Sequence, residues 1–220
     1  MMAHASVFSA PFSVIGPQFI DPKPLEITVE KFASRNIVIT NKNNKILLKV
    51  KPHDTSLHRQ IIMFDANDNP IATFREKILS MHSKWHVFKG ESKAESDIIF
   101  STHSEHMVQF KVNVSVTLGN KTHTDDHCDL RIKGSWSKGN CIIYKGDSST
   151  IIAKMHKLQK KHATDKFTVT IEANMDYACV VALFAIVDAM ENHEELRNSS
   201  GGASGGVLNI ASAIITSSVV

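Results

Sequence analysis

Apolar and polar residues alternate along most of the chain. The alternation is clearest where Phe110, Val112, Val114, Val116 and Leu118 interleave with Lys111, Asn113, Ser115 and Thr117. A period of two over this length describes a strand of roughly 30 Å with one dry and one wet face. Cys128, Leu130 and Ile132 repeat the pattern against Asp129, Arg131 and Lys133. Shorter apolar runs flank polar turns and read as hairpins: residues 36–40 and 46–50 about an Asn/Lys turn, 60–64 and 71–75 about Asp65 to Pro70, and 84–89 and 97–101 about a Gly/Glu/Ser turn. Residues 141–145, 151–155 and 167–171 continue the series. About eleven or twelve strands at roughly 8–12-residue spacing predict an antiparallel sandwich or barrel.

One stretch departs from the alternation. From Met175 to Met190 (MDYACVVALFAIVDAM) the apolar residues cover every direction of a helix. A helix without a polar face must be buried in protein or in lipid. Its uncharged part, Tyr177 to Val187, is about half of the ~20 residues that a bilayer span requires, which predicts a core helix. Asn174 or Asp176 is placed to cap its start. Asp188, Glu191, Glu194 and Glu195 oppose the helix dipole at its end and predict fraying into solvent there. Closing the sheet around this helix would give the dry strand faces a partner and remove exposed edges.

The flanks differ in composition. Residues 1–24 contain Pro11, Pro17, Pro22 and Pro24 and read as an extended arm; 25–195 form the barrel domain; 196–220 read as a flexible linker, NSSGGASGG at 198–206, and a tail too polar to span a membrane. The net charge of +3 across 220 residues permits contact with an acidic surface without demanding it. The three cysteines, Cys128, Cys141 and Cys179, form no CxxC pair or disulfide framework and fit a reducing compartment. The N-terminal residues lack the basic start of a signal peptide, so the NxS/T matches at Asn113, Asn120 and Asn198 read as chance.

Several stretches carry a family resemblance: NIVITNKNNKILLKVK (36–51), PIATFREKILSMHSKWHVFKG (70–90), CDLRIKGSW (128–136), CIIYKGDSSTIIAKMH (141–156) and FTVTIEANMDYACVVALFAIVDAMEN (167–192). Together they resemble the plant LURP-one-related family, whose domain belongs to the Tubby-like C-terminal superfamily with the phospholipid scramblases. The resemblance implies a mainly β fold, a closed antiparallel barrel of about twelve strands around a central hydrophobic C-terminal helix. It also implies a non-enzymatic regulatory or binding protein, a phosphoinositide-binding, membrane-tethered factor linked to plant defence or transcription. Such a protein would be cytoplasmic or nuclear, and peripheral at the plasma membrane. The alternatives are a protein-interaction scaffold without lipid binding, a scramblase-like lipid handler, or an enzyme. The Cys-rich palmitoylation cluster of scramblases is missing, and none of Tubby's phosphoinositide-binding residues is carried over.

Candidate chemistry is sparse. Asp65, Asn67, Asn69 and Glu76 match four positions of an EF-hand loop, but Pro70 stands where glycine is needed, and a hairpin turn accounts for the same residues. Pairs of His stand at 82/86, 103/106 and 123/127, but no CxxC or HExxH is present to complete a zinc site. No P-loop or GxGxxG is present. No catalytic residue, cofactor or metal ligand is assigned. The remaining feature is a basic run, Lys154, His156, Lys157, Lys160, Lys161, His162 and Lys166, with no acid before Asp165. It is expected on a loop or strand extension. Lys154, His156, Lys157, Lys160 and Lys161 are the candidate binding residues for an anionic phospholipid or phosphoinositide headgroup. Direct reading of nucleic acid is not expected, because no reading helix or zinc finger accompanies the charge.

Overall fold

The computed structural model describes residues 8, 10–55, 59–77, 83–104, 112–119, 128–161 and 164–201, without the side chains of 159–161 and 193–201. Twelve strands run in chain order: β1 (Leu25–Phe32), β2 (Ile37–Asn41), β3 (Ile46–Pro52), β4 (Gln60–Asp65), β5 (Pro70–Glu76), β6 (Lys84–Lys89), β7 (Ile98–Ser104), β8 (Val112–Leu118), β9 (Leu130–Gly134), β10 (Ile142–Lys145), β11 (Ile151–Lys161) and β12 (Thr164–Ile171). One helix, α1 (Tyr177–Gly201), follows. Each strand pairs antiparallel with its sequence neighbours, and β1 pairs with both β2 and β12, so the sheet closes into a barrel. The closing strand β1 was not among the runs read from the sequence, although Leu25, Ile27 and Val29 alternate there with Glu26, Thr28 and Glu30.

The inward residues follow the alternation. Ile27, Val29, Ile39, Leu48, Phe74, Trp85, Phe100, Val114, Ile132, Phe167 and Val169 are all buried. They form one cluster with Ala178 to Val187 of α1. The helix therefore occupies the lumen, as its apolar surface requires. It is also longer than expected. No Gly or Pro interrupts it before Gly201, and Glu194, Glu195, Leu196 and Arg197 favour helix, so α1 runs through the start of the expected linker. No helix among the described residues is long and apolar enough to cross a membrane.

Register defines two ends of the barrel. The α1 N-terminus lies at the end formed by Leu25 and Ile171, and its C-terminal half leaves past Lys31. The N-terminal arm closes the first end. Phe8 and Phe19 are buried, Phe8 stacks on Phe12 at 4.9 Å, and Phe19 meets Tyr177 edge-on at 5.6 Å. Bridges join Phe12 to Met175 and Ile20 to Asp176.

Asp176 links the arm to the helix. One carboxylate oxygen accepts from the Cys179 amide at 3.1 Å, which is an N-cap. The other accepts from the amides of Val14 (3.0 Å), Ile15 (2.7 Å) and Gly16 (3.0 Å). The preceding Asn174 takes a positive φ of 64° and donates to the Phe8 carbonyl at 3.0 Å.

Candidate functional site

The basic run lies on paired strands. β11 continues to Lys161 and β12 begins at Thr164, so the run extends a strand into a hairpin. His162 lies outside the described residues. Lys154 opposes Thr170 and His156 opposes Thr168, β-branched partners that favour the pleated surface. Because side chains alternate, Lys154 and His156 share the outer face of β11, and both are exposed. Lys166 is exposed on the outer face of β12, opposite Glu30 of β1. On the other flank, Lys154 pairs with Ile142 of β10, which pairs with Lys133 of β9. The outer face of β9 to β12 thus carries Lys133, Lys154, His156 and Lys166.

Lys157 differs from its neighbours. It has the inward parity and sits at the barrel rim, where its Nζ lies 5.6 Å from the Phe167 ring centroid. It donates to the Ser137 carbonyl at 3.0 Å and lies 3.6 Å from Asp165 Oδ1. The acid absent from the run until Asp165 is therefore brought back to it by the hairpin. Lys160 and Lys161 oppose Asp165 and Thr164 in register; their side chains lie outside the described residues.

The rim holds a second polar group that sequence reasoning misplaced. Asp188 and Glu191 do not fray into solvent; they are 5 % and 3 % exposed. Glu191 accepts from the amides of Trp136 (2.6 Å) and Ser137 (3.0 Å), and so holds the β9–β10 loop over the mouth. Trp136 packs on Phe167 at 4.9 Å and Phe184 at 6.4 Å. That loop is tightly set: a side chain at Gly139, where φ is +63°, would come within 2.3 Å of Lys157 Cβ. Asp188 pairs with Lys31 and accepts from Asn192 Nδ2 at 3.0 Å. Burial pushes the Asp188 carboxyl above its ordinary value, and the Lys31 ammonium opposes that shift. The dipole argument fails here because α1 runs on to Gly201, which leaves Asp188 and Glu191 more than two turns from its C-terminus, and because charged and amide partners reach them from β1 and the β9–β10 loop.

Beside this group, Arg35, Asp54, Arg59, Trp85, Asp188 and Asn192 line an open cleft. Its charges are committed to one another. Arg59 donates to Glu76 at 3.1 Å and to the Ala189 carbonyl, and lies over Trp85 at 5.5 Å. Arg35 pairs with Asp54 at 2.9 Å. The described lining includes no His, Cys or Ser.

The EF-hand-like residues form a turn. Asp65 accepts from the amides of Asn67 (2.8 Å) and Asn69 (2.9 Å) and from Asn69 Nδ2 (2.8 Å), bonds that hold its carboxyl below the ordinary value. Asp68 accepts from Lys49 at 2.7 Å and Lys51 at 3.3 Å. Among the described residues no group of three His, Cys, Asp or Glu is arranged for a metal. His82, His106, His123 and His127 lie outside them. The cysteines are free; burial pushes the thiols of Cys141 and Cys179 up, and Cys128 is partly exposed.

Comparison with known proteins agrees with this architecture. The LURP-one-related family model matches residues 25–188, from the first residue of β1 to Asp188. The chain is 33% identical over 189 residues to Protein LURP-one-related 15 of Arabidopsis thaliana, covering 82% of this chain and 87% of that protein. It is likewise 33% identical over 189 residues to Arabidopsis Protein LURP1, covering 82% and 91%. The X-ray structure of an Arabidopsis protein superposes with a TM-score of 0.65 at 32% identity, covering 81% of this chain and 98% of the other. A match that begins at the closing strand and runs through the lumen helix takes in the whole barrel, and the chain belongs to the LURP-one-related family.

Proposed function

We propose that this is a non-catalytic binding protein that attaches reversibly to anionic, phosphoinositide-containing membranes through the outer face of the β11–β12 hairpin. The observation that carries the reading is the exposed band of Lys133, Lys154, His156 and Lys166 on one face. The filled lumen supports it: with α1 packed against the inward side chains, a ligand is left the ends and the outside of the barrel. Each Lys near an anionic leaflet contributes about 1 kcal/mol, so the band gives weak, salt-sensitive attachment, falling off over a Debye length of about 8 Å. Weak attachment suits a regulatory protein that exchanges between the plasma membrane and the cytoplasm or nucleus, as a factor in defence or transcription would need.

The test is co-sedimentation with phosphatidylcholine vesicles, with and without a phosphatidylinositol bisphosphate, across a salt series. Lys154→Ala combined with Lys160→Ala, Lys161→Ala and Lys166→Ala is expected to abolish the salt-sensitive binding. Lys157→Ala belongs in a separate variant, because it also removes the bond to Ser137. Wild type that ignores the anionic vesicles at low salt refutes the reading.

A further inference from the structure

We propose that Leu158 is a membrane-inserting tip that seats the basic face of β11 in the bilayer; this inference rests on the membrane reading above. Leu158 is 52% exposed, more than Phe32, Ile46 or Ile151, the other exposed large apolar residues among those described. A single exposed leucine is ordinary on a protein surface. Its placement is not. The register between β11 and β12 shifts between Lys157 and Gln159, so Leu158 has no cross-strand partner and stands at a β-bulge. Bulges re-aim a side chain away from the sheet. Its exposure puts Leu158 on the solvent side of the hairpin, next to the outward Lys154 and His156 of the same strand and Lys166 of the neighbouring one.

The arrangement fits an interface between water and hydrocarbon. Lysine stems extend along apolar surface while their ammonium groups stay at headgroup level. A leucine between them reaches past the headgroups into the acyl boundary. Phe32, 37% exposed at the rim end of β1, lies toward the same end of the barrel and would enter next. A purely acidic polypeptide would satisfy the lysines but offer the leucine no hydrocarbon layer to enter.

Leu158→Trp in the full chain tests this directly. The native Trp85 and Trp136 are 0% and 3% exposed, so their emission is a constant background. With phosphatidylcholine vesicles containing a phosphatidylinositol bisphosphate and acyl-chain-brominated lipid, the new tryptophan is expected to shift to the blue and be quenched. Leu158→Ser is expected to bind the same vesicles about ten-fold more weakly, since most of a buried leucine's transfer energy is lost. If wild type binds but Leu158→Ser binds equally and the new tryptophan is not quenched, insertion is refuted while the electrostatic reading stands. If wild type does not bind at low salt, both fall. Polyglutamate shifting the emission as far as the vesicles do would assign the face to an acidic polypeptide instead and overturn the inference.

Discussion

Replacing Asp176 by alanine should loosen both the arm and the helix start. The carboxylate is fully buried and takes four backbone amides, those of Val14, Ile15, Gly16 and Cys179, at 2.7–3.1 Å. Alanine removes every acceptor together. Loss of the cap on Cys179 costs about 1 kcal/mol. The three arm amides would each lose a hydrogen bond to a charged group, worth about 1.5–3 kcal/mol if the arm stayed in place. It need not stay: the arm can peel away and expose these amides to water. The loss on that side is then capped by the contribution of arm docking, and a total of roughly 3 kcal/mol is expected. For a chain of this size that lowers Tm by roughly 6–12 °C. Thermal and urea unfolding can be followed by the fluorescence of Trp85 and Trp136. Both lie toward the opposite mouth, near Glu76 and Glu191, so the signal reports the barrel and not the arm. Limited proteolysis within residues 8–24 reports detachment. Asp176→Asn, which keeps one acceptor oxygen, should fall between. An Asp176→Ala protein with wild-type midpoint and wild-type protease resistance would refute the reasoning.

Leu183 is fully buried on the lumen helix, and Leu183→Asp places an unpaired charge there; it is expected to yield no soluble cooperative fold, and a native-like unfolding transition would show that the helix is not core. Asp188 offers a test by pH. Its carboxyl is raised above 3.8 in the folded chain, first by burial. Between 3.8 and the raised value the folded chain holds a proton that the unfolded chain releases, so this group's stabilising contribution grows as pH falls and is lost as pH rises through the folded value. The stability difference between wild type and Asp188→Asn, from urea unfolding between about pH 7 and about pH 4, should move in favour of wild type on acidification. A flat or opposite trend refutes the assignment.

Most strands were legible because one face of each is buried, and burial writes itself into the sequence as alternation. β1 obeys the same rule, but it stands between the Pro-rich arm and the first hairpin read from the sequence and was not among the strands assigned. Barrel closure is a relation between the first and last strands, and periodicity within a run cannot express it. Asp188 and Glu191, read from the sequence as the helix end although α1 runs on to Gly201, show a different limit. Phe184, Asp188 and Glu191 follow i, i+4, i+7 spacing, so the acids continue the face that packs on Trp136. That spacing was a usable signal. The sequence reading rests on the macrodipole alone, which is worth only about 0.3–1 kcal/mol at a surface.

The candidate site divides similarly. The charges of the basic run were plain in the sequence, but strand pairing sorts them. Even-numbered Lys154 and His156 face outward, whereas Lys157 turns to the rim and meets Asp165, a contact made only when the hairpin folds back. Outward residues on a closed, filled barrel contribute little to its core. The pairing of β11 with β12 is supported by Thr168 and Thr170 opposite His156 and Lys154, and by Met155 opposite Val169 on the inner face. The charge on the outer face can thus change without disturbing what holds the barrel together. Substitutions at Lys154, His156 and Lys166 should read binding alone, while Lys157, held by Ser137, Asp165 and Phe167, reads binding and rim structure together.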